Sequence, residues 1–369
     1  MQNLKIFTSV LYPLRFFGLQ FYSINSINQF AAHQGTFETK FIILFIIALP
    51  TYSIISSYYY IFAFINFEDV ASSHNVLQYE FKIVVYTGRF LIIVVSIFEA
   101  FLKTKKVKKI WTKCWKVSKV LSHEFGINLK GHYWKLHAVM KRRMMFIFIG
   151  LLIVEVVPQI SPNFTLHTAV MIVTKLTGSI IISLVIFKHC FYVDFINLHI
   201  SIITDIIKTK KLNKIHILRQ CYTELIKMER LVNESVSLQL PITVSIIIMC
   251  LIRRAYRFYA LFTGQLHVSA FIYTIMNNTS EELAYIYALC FCCDRTEIVM
   301  NNLKEAMRKV DCGHFNTERM KALSFLSDQI LMQPIGFHVM SAYKLNIEYF
   351  AEVCMNYINV IFEELGLGL

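Results

Sequence analysis

The sequence predicts an all-α, polytopic membrane protein with seven transmembrane helices and a cytosolic N-terminus. Three observations carry that reading. Of the 369 residues, 56% are hydrophobic and only 17% are charged, whereas a soluble domain carries about a quarter charged residues. The apolar residues form blocks of about 20, the length that crosses about 30 Å of hydrocarbon. The basic residues gather between alternate blocks, as cytosolic loops require.

The seven spans fall at about 41–64, 83–102, 144–159, 169–191, 238–262, 272–293 and 342–362. In the sixth, the polar run Asn277–Glu282 interrupts the apolar residues and is expected near one membrane face. The segment 103–143 holds 13 Lys and Arg against one acidic residue, Glu124; 188–237 holds eight and 295–334 holds six. The short segments 65–79, 160–168 and 263–271 hold none. That asymmetry places the N-terminus and the loops 103–143, 192–237 and 295–334 in the cytosol. It also accounts for the net charge of +13 without a nucleic-acid partner. A single membrane domain, 1–369, covers the chain, and the partner implied by composition is the lipid bilayer.

Two shorter elements complete the topology. The N-terminal stretch is interrupted by Lys5, Pro13 and Arg15 and lacks a small-residue cleavage site, so it reads as a short interfacial helix near 10–21 rather than a leader peptide. Between 192 and 237 the fourth span is expected to continue as helix into the cytosol. There Ile215, Leu218, Tyr222, Leu225 and Leu231 recur mostly at three- and four-residue steps, the spacing of one helical face.

The orientation separates this chain from G-protein-coupled receptors, whose N-terminus lies outside. It also lacks the Asp-Arg-Tyr and Asn-Pro-x-x-Tyr signals of that class. Sequons at Asn163 and at Asn277/Asn278 fall on the predicted outer side and are glycosylation candidates, whereas Asn233 falls inside.

Several segments resemble the insect gustatory receptor family. Leu218-Arg-Gln-Cys-Tyr222-Thr-Glu-Leu225, followed by Leu231-Val-Asn233, is similar to that family's approach to the fifth span. Leu323-Ser-Phe-Leu326 and Phe337 through Asn346 resemble its approach to the seventh, and Cys293-Asp-Arg-Thr296-Glu297 its sixth-span end. The family's closing signature is Thr-Tyr, five apolar residues and Gln-Phe. This chain keeps Tyr357 but has Asn356 before it, Asn359 within the five and Glu363-Glu364 after. The related insect odorant receptors share the plan, and Leu345 through Phe350 are similar to their last span.

The resemblance implies a multi-pass plasma-membrane receptor of sensory neurons. It implies a homo- or hetero-tetrameric, ligand-gated cation channel in which each last helix lines the pore. A small-molecule tastant would enter a pocket among the outer halves of spans two to six. The alternatives are an odorant receptor and a polytopic transporter or structural membrane protein.

Charges inside spans are costly, about 2.5–3.5 kcal/mol at a helix centre, so each is a functional candidate. Arg89, Glu155, Arg253, Arg257 and the aromatic Tyr273 are ligand-binding candidates; Arg253 and Arg257 share one helix face. Glu99, near the cytosolic end of the second span, reads as an interfacial carboxylate. Glu348 and Glu352, one turn apart in the seventh span, are pore-lining candidates with Asn356 and Tyr357, since a carboxylate ring favours cations. The nine Cys and 12 His show no metal-ligand spacing, and no phosphate loop or nucleophile turn occurs. No metal, cofactor or enzymatic activity is therefore expected.

Overall fold

The computed structural model describes residues 6–17, 19, 22–24, 30–32, 87–88, 91–153, 166–209, 214–262, 268–310, 316–339 and 343–344. It also describes isolated helical positions within 44–55 and 348–359. Most of the first and seventh spans and the third beyond Ile153 lie outside the described residues, as do 83–86, 89 and 90 of the second.

The central element is α5 (Leu166–Lys208), 43 residues in one helix. At about 1.5 Å per residue it is roughly 65 Å long, twice the hydrocarbon thickness. It is the one helix among the described residues that is by itself long and apolar enough to cross a membrane. It begins near the predicted fourth span and continues without interruption to Lys208; the expected extension to 237 stops there, and Ile215–Ser235 forms a separate helix. From Ile181 to Asn197 every residue is buried, because neighbours surround it. α8 (Val268–Arg308) packs along it, and α4 (Leu129–Leu151), α6 (Ile215–Ser235), α7 (Gln239–Phe262) and α1 (Thr8–Phe16) cover the remaining faces. α8 carries the predicted sixth span, and the polar run 277–282 lies within its 41 residues as helix.

The basic segment 103–143, expected as a loop, is a helical hairpin. Following the short helix α2 (Leu91–Leu102), α3 (Thr104–Phe125) buries Val107, Ile110, Trp111, Cys114, Val117, Ser118, Leu121 and Phe125, an apolar stripe at three- and four-residue steps. Gly126 ends α3 in the left-handed conformation (φ 65°), which a side chain would strain. Asn128 then caps α4 by accepting from the Lys130 N–H at 3.2 Å. Charge counting registered the basic character of this segment, but the apolar stripe is what folds it.

α3 and α6 lie antiparallel, joined in register by Lys106–Glu234, Lys113–Glu224 and Glu124–Lys214, each 2.6 Å. α6 turns its predicted stripe inward: Ile215, Leu218, Tyr222 and Leu225 are buried and Leu231 is half-buried. α6 and α7 meet at a 55° bend. α9 (Thr317–Met332), capped by Asn316 accepting from the Arg319 N–H at 3.0 Å, packs on α6. There Tyr222 donates to the Gln333 carbonyl at 3.0 Å.

Two minimal antiparallel hairpins accompany the helices. In one, β1 (Tyr22–Ile24) pairs with β2 (Phe30–Ala32), Tyr22 opposite Ala32; in the other, β3 (His338–Val339) pairs with β4 (Tyr343–Lys344). An N-terminal helix forms at Thr8–Phe16 rather than near 10–21, and its Val10, Leu11 and Leu14 are buried in the core. Phe7, just before it, inserts among Tyr133, Phe191 and Phe195 at centroid distances of 5.3–5.9 Å.

Trp111 closes the same aromatic cluster against Phe191, Tyr192 and Phe195 and is 1% exposed. Trp111→Ala is expected to remove about 3–5 kcal/mol of stability. Thermal unfolding of the detergent-purified chain, followed by size exclusion, checks this.

Candidate functional site

Among the described residues, three buried polar clusters join helices of the predicted spans to their neighbours. The first is built on Glu99 of α2, which is 2% exposed. Its two carboxylate oxygens accept from the Leu238 N–H at 3.0 Å and the Gln239 N–H at 2.8 Å, the first donors of α7. Lys103 bonds the same carboxylate and donates to Ser237 at 2.7 Å. A helix N-terminus leaves its first N–H groups unsatisfied and carries partial positive charge. Glu99 answers both demands at the α6–α7 bend. It is therefore a buried cap rather than the interfacial carboxylate expected from its position. Lys188 of α5, 3% exposed, reaches Gln239 Oε1 at 3.4 Å. The end of α2, the start of α7 and the middle of α5 thus meet in one polar knot.

The second cluster centres on Asp194 of α5, whose side chain is 3% exposed. Arg143 of α4 binds one oxygen at 2.6 Å, and Arg295 of α8 lies 3.6 Å from the other. One carboxylate thereby ties three helices together. In the third cluster His199 donates through Nδ1 to the Phe195 carbonyl at 2.8 Å, which leaves Nε2 as an acceptor. Tyr133 Oη lies 3.0 Å from that nitrogen and Ser118 Oγ 3.2 Å from it. Burial pushes His199 down to about 4, so it is neutral, and burial raises the Tyr133 phenol. A serine beside a histidine suggests a nucleophile–base pair, but here both are buried and the ring is turned to helix packing.

The sequence-predicted site residues are distributed differently. Arg89, Glu155, Asn163 and Tyr357 lie outside the described residues. Arg253 and Arg257 are on α7, and Tyr273, Asn277 and Asn278 on α8, with helical backbone but side chains outside the description. Glu348, Glu352 and Asn356 are helical and exposed. Sequence reasoning did not single out Lys188, Asp194, Arg143 or Arg295. For Lys188 the signal was present, since it is one of two lysines, with Lys175, inside the predicted fourth span. Asp194 stood three residues beyond it, and nothing local marked its two distant partners.

No protein-family description matches the chain, and no curated protein does. Solved structures do. The insect olfactory receptor OR5 from Machilis hrabei superposes with a TM-score of 0.67 at 11% identity, covering 96% of each chain. Its structure in complex with eugenol gives a TM-score of 0.64 at 12% identity, covering 100% of this chain and 99% of that one. The chain has the insect olfactory receptor fold. At such low identity the likeness resides in the path of the helices rather than in their side chains, and it extends over essentially the whole of both chains.

His199 also sets a pH dependence. Its folded value lies below its ordinary 6.5, so the stability from keeping it neutral is complete above about 6.5. That stability is lost as pH falls toward about 4, on the order of 3 kcal/mol. His199→Gln is expected to flatten this limb, its unfolding midpoint falling less between pH 7 and pH 4.5 than that of the unsubstituted protein.

Proposed function

We propose that the chain is a subunit of a small-molecule-gated cation channel of the insect chemoreceptor kind, a multi-pass plasma-membrane protein with seven spans and a cytosolic N-terminus. The observation that carries this is the full-length likeness in fold to a receptor solved with eugenol. The basic-residue asymmetry supports the orientation, and the length of α5 suits a helix that spans the bilayer and continues into the cytosol.

In this reading a small ligand binds among the outer halves of the spans more tightly in the open state and so shifts the closed–open equilibrium. Arg89, Glu155, Arg253, Arg257 and Tyr273 are the proposed ligand contacts. Glu348, Glu352, Asn356 and Tyr357 are the proposed pore residues, arranged around the axis of a homo- or hetero-tetramer. The Glu99 knot and the Asp194 clamp join the inner ends of the spans and would transmit such a shift as a unit.

Two ligand classes have support from different observations. The segments around 218–233 and 323–346 resemble gustatory receptors, which favours a tastant. The likeness in fold is to an olfactory receptor, which favours a volatile odorant at least as well. The proposed site of action is the dendrite of a sensory neuron in either case.

Calcium imaging of cells expressing the chain, alone and with related receptors, against panels of non-volatile tastants and volatile aromatics separates the two classes. Absence of any response from surface-labelled protein under all these conditions overturns the channel reading. Glu348→Gln with Glu352→Gln is expected to lower cation over anion permeability, read as a shifted reversal potential. An unchanged reversal potential removes these residues from the pore.

A further inference from the structure

The polar knot of α2, α5 and α7 holds more cations and more donors than its protein partners use. Its charged groups among the described residues are Lys103, Lys188 and Glu99, two ammonium groups against one carboxylate. That carboxylate is already engaged, accepting from the Leu238 and Gln239 N–H groups and from Lys103. Lys188 is therefore a surplus charge, and it is 3% exposed. Its one hydrogen bond among the described residues, to Gln239 Oε1 at 3.4 Å, is long, and an ammonium has three N–H groups to place.

The amide that meets Lys188 adds to the excess. Gln239 turns its oxygen to the ammonium, so its Nε2 points elsewhere; the reverse orientation would set donor against donor. Nε2 is buried and bonds nothing among the described residues. The same holds for Ser96 Oγ, in a residue 0% exposed. α2 and α7 run antiparallel here, with Gly88 against Ile246 and Glu99 against Leu238 and Gln239. That register sets Ser96, about one turn before Glu99 on its buried face, level with the first turn of α7.

Buried donors without acceptors are costly, and a buried charge without a counter-charge is costlier. Lys188, Gln239 and Ser96 can all donate. A water molecule accepts two such bonds but leaves the charge uncompensated. A small anion accepts from several sides at once and cancels the charge as well.

We infer that Lys188, Gln239 and Ser96 form a binding site for a small inorganic anion of halide size, such as chloride. At 0–3% exposure the three side chains admit an ion of that size, whereas a lipid headgroup could not reach them without opening the knot. The ion joins helices of the second, fourth and fifth predicted spans, so its occupancy strengthens the α6–α7 bend. The inference needs only the fold and stands apart from the channel reading.

The purified full-length chain, heated in sodium chloride and in sodium gluconate of equal ionic strength, tests the site, because gluconate is too large for it. At about ten times its dissociation constant, chloride is expected to raise the unfolding midpoint by about 2–4 °C, and bromide to replace it. Excess chloride NMR line width that bromide displaces gives a direct readout. K188M is expected to abolish both signals, and S96A to weaken the affinity about tenfold. K116Q/K119Q, which removes two exposed cations of α3, is expected to leave the midpoint shift unchanged. Size exclusion confirms that each variant is folded. A midpoint and line width indifferent to chloride overturn the site. A chloride response that persists in K188M overturns it too, by assigning the effect to surface charge. Where K188M does not fold, S96A decides, and an unchanged affinity there overturns the site.

Discussion

The burial of α5 on all sides from Ile181 to Asn197 is the constraint on which the rest of the structure depends. A helix enclosed by neighbours cannot send a polar side chain to water, so most of its polar groups are answered by other helices, the buried Asn197 amide being an exception. Asp194 is answered by Arg143 and Arg295, His199 by Tyr133 and Ser118, Lys188 by Gln239, and Ser183 by Tyr285 at 2.8 Å. The positions of α3, α4, α7 and α8 around α5 are therefore fixed by specific bonds as well as by apolar packing. Because two arginines share Asp194, moving α4 or α8 alone would leave a buried carboxylate short of charge. Breaking such pairs is strongly destabilising.

Glu99 applies the same logic to a bend. The 55° turn between α6 and α7 exposes the first N–H groups of α7 inside protein, where water cannot satisfy them. A carboxylate from α2 meets two of them and is itself neutralised by Lys103. The end of the second predicted span and the start of the fifth are thus joined through backbone groups, not side chains alone. An arrangement of this kind transmits displacement, because neither helix can shift without separating charge from its partner.

Much of the candidate site was legible only in part. Glu99 was visible as a charge near a span end, but its capping role depends on residues 139 and 140 positions away in sequence. The stripe on α6 was read correctly, since helical periodicity is local. The equally regular stripe on α3 was overshadowed by its lysines, which suggested a loop although Val107, Ile110, Trp111 and Cys114 mark one helical face. The proposed ligand contacts Arg253 and Arg257 were placed on one face by spacing alone, and the structure adds that their backbone is helical.

By itself the sequence determined the helical character of the chain, the positions of its apolar blocks and the asymmetric distribution of its lysines and arginines. Each follows from short-range rules, because a span needs a run of apolar residues and a cytosolic segment gathers positive charge. Only the tertiary structure decided that α5 is the central helix, that 103–143 folds back as a hairpin, and that Asp194 and Glu99 are buried anchors. Those outcomes depend on which distant groups meet once water is excluded, and no local pattern encodes a partner a hundred residues away. The likeness to insect olfactory receptors belongs to the same level. At 11–12% identity it survives in the paths of the helices, because many sequences can satisfy one packing arrangement.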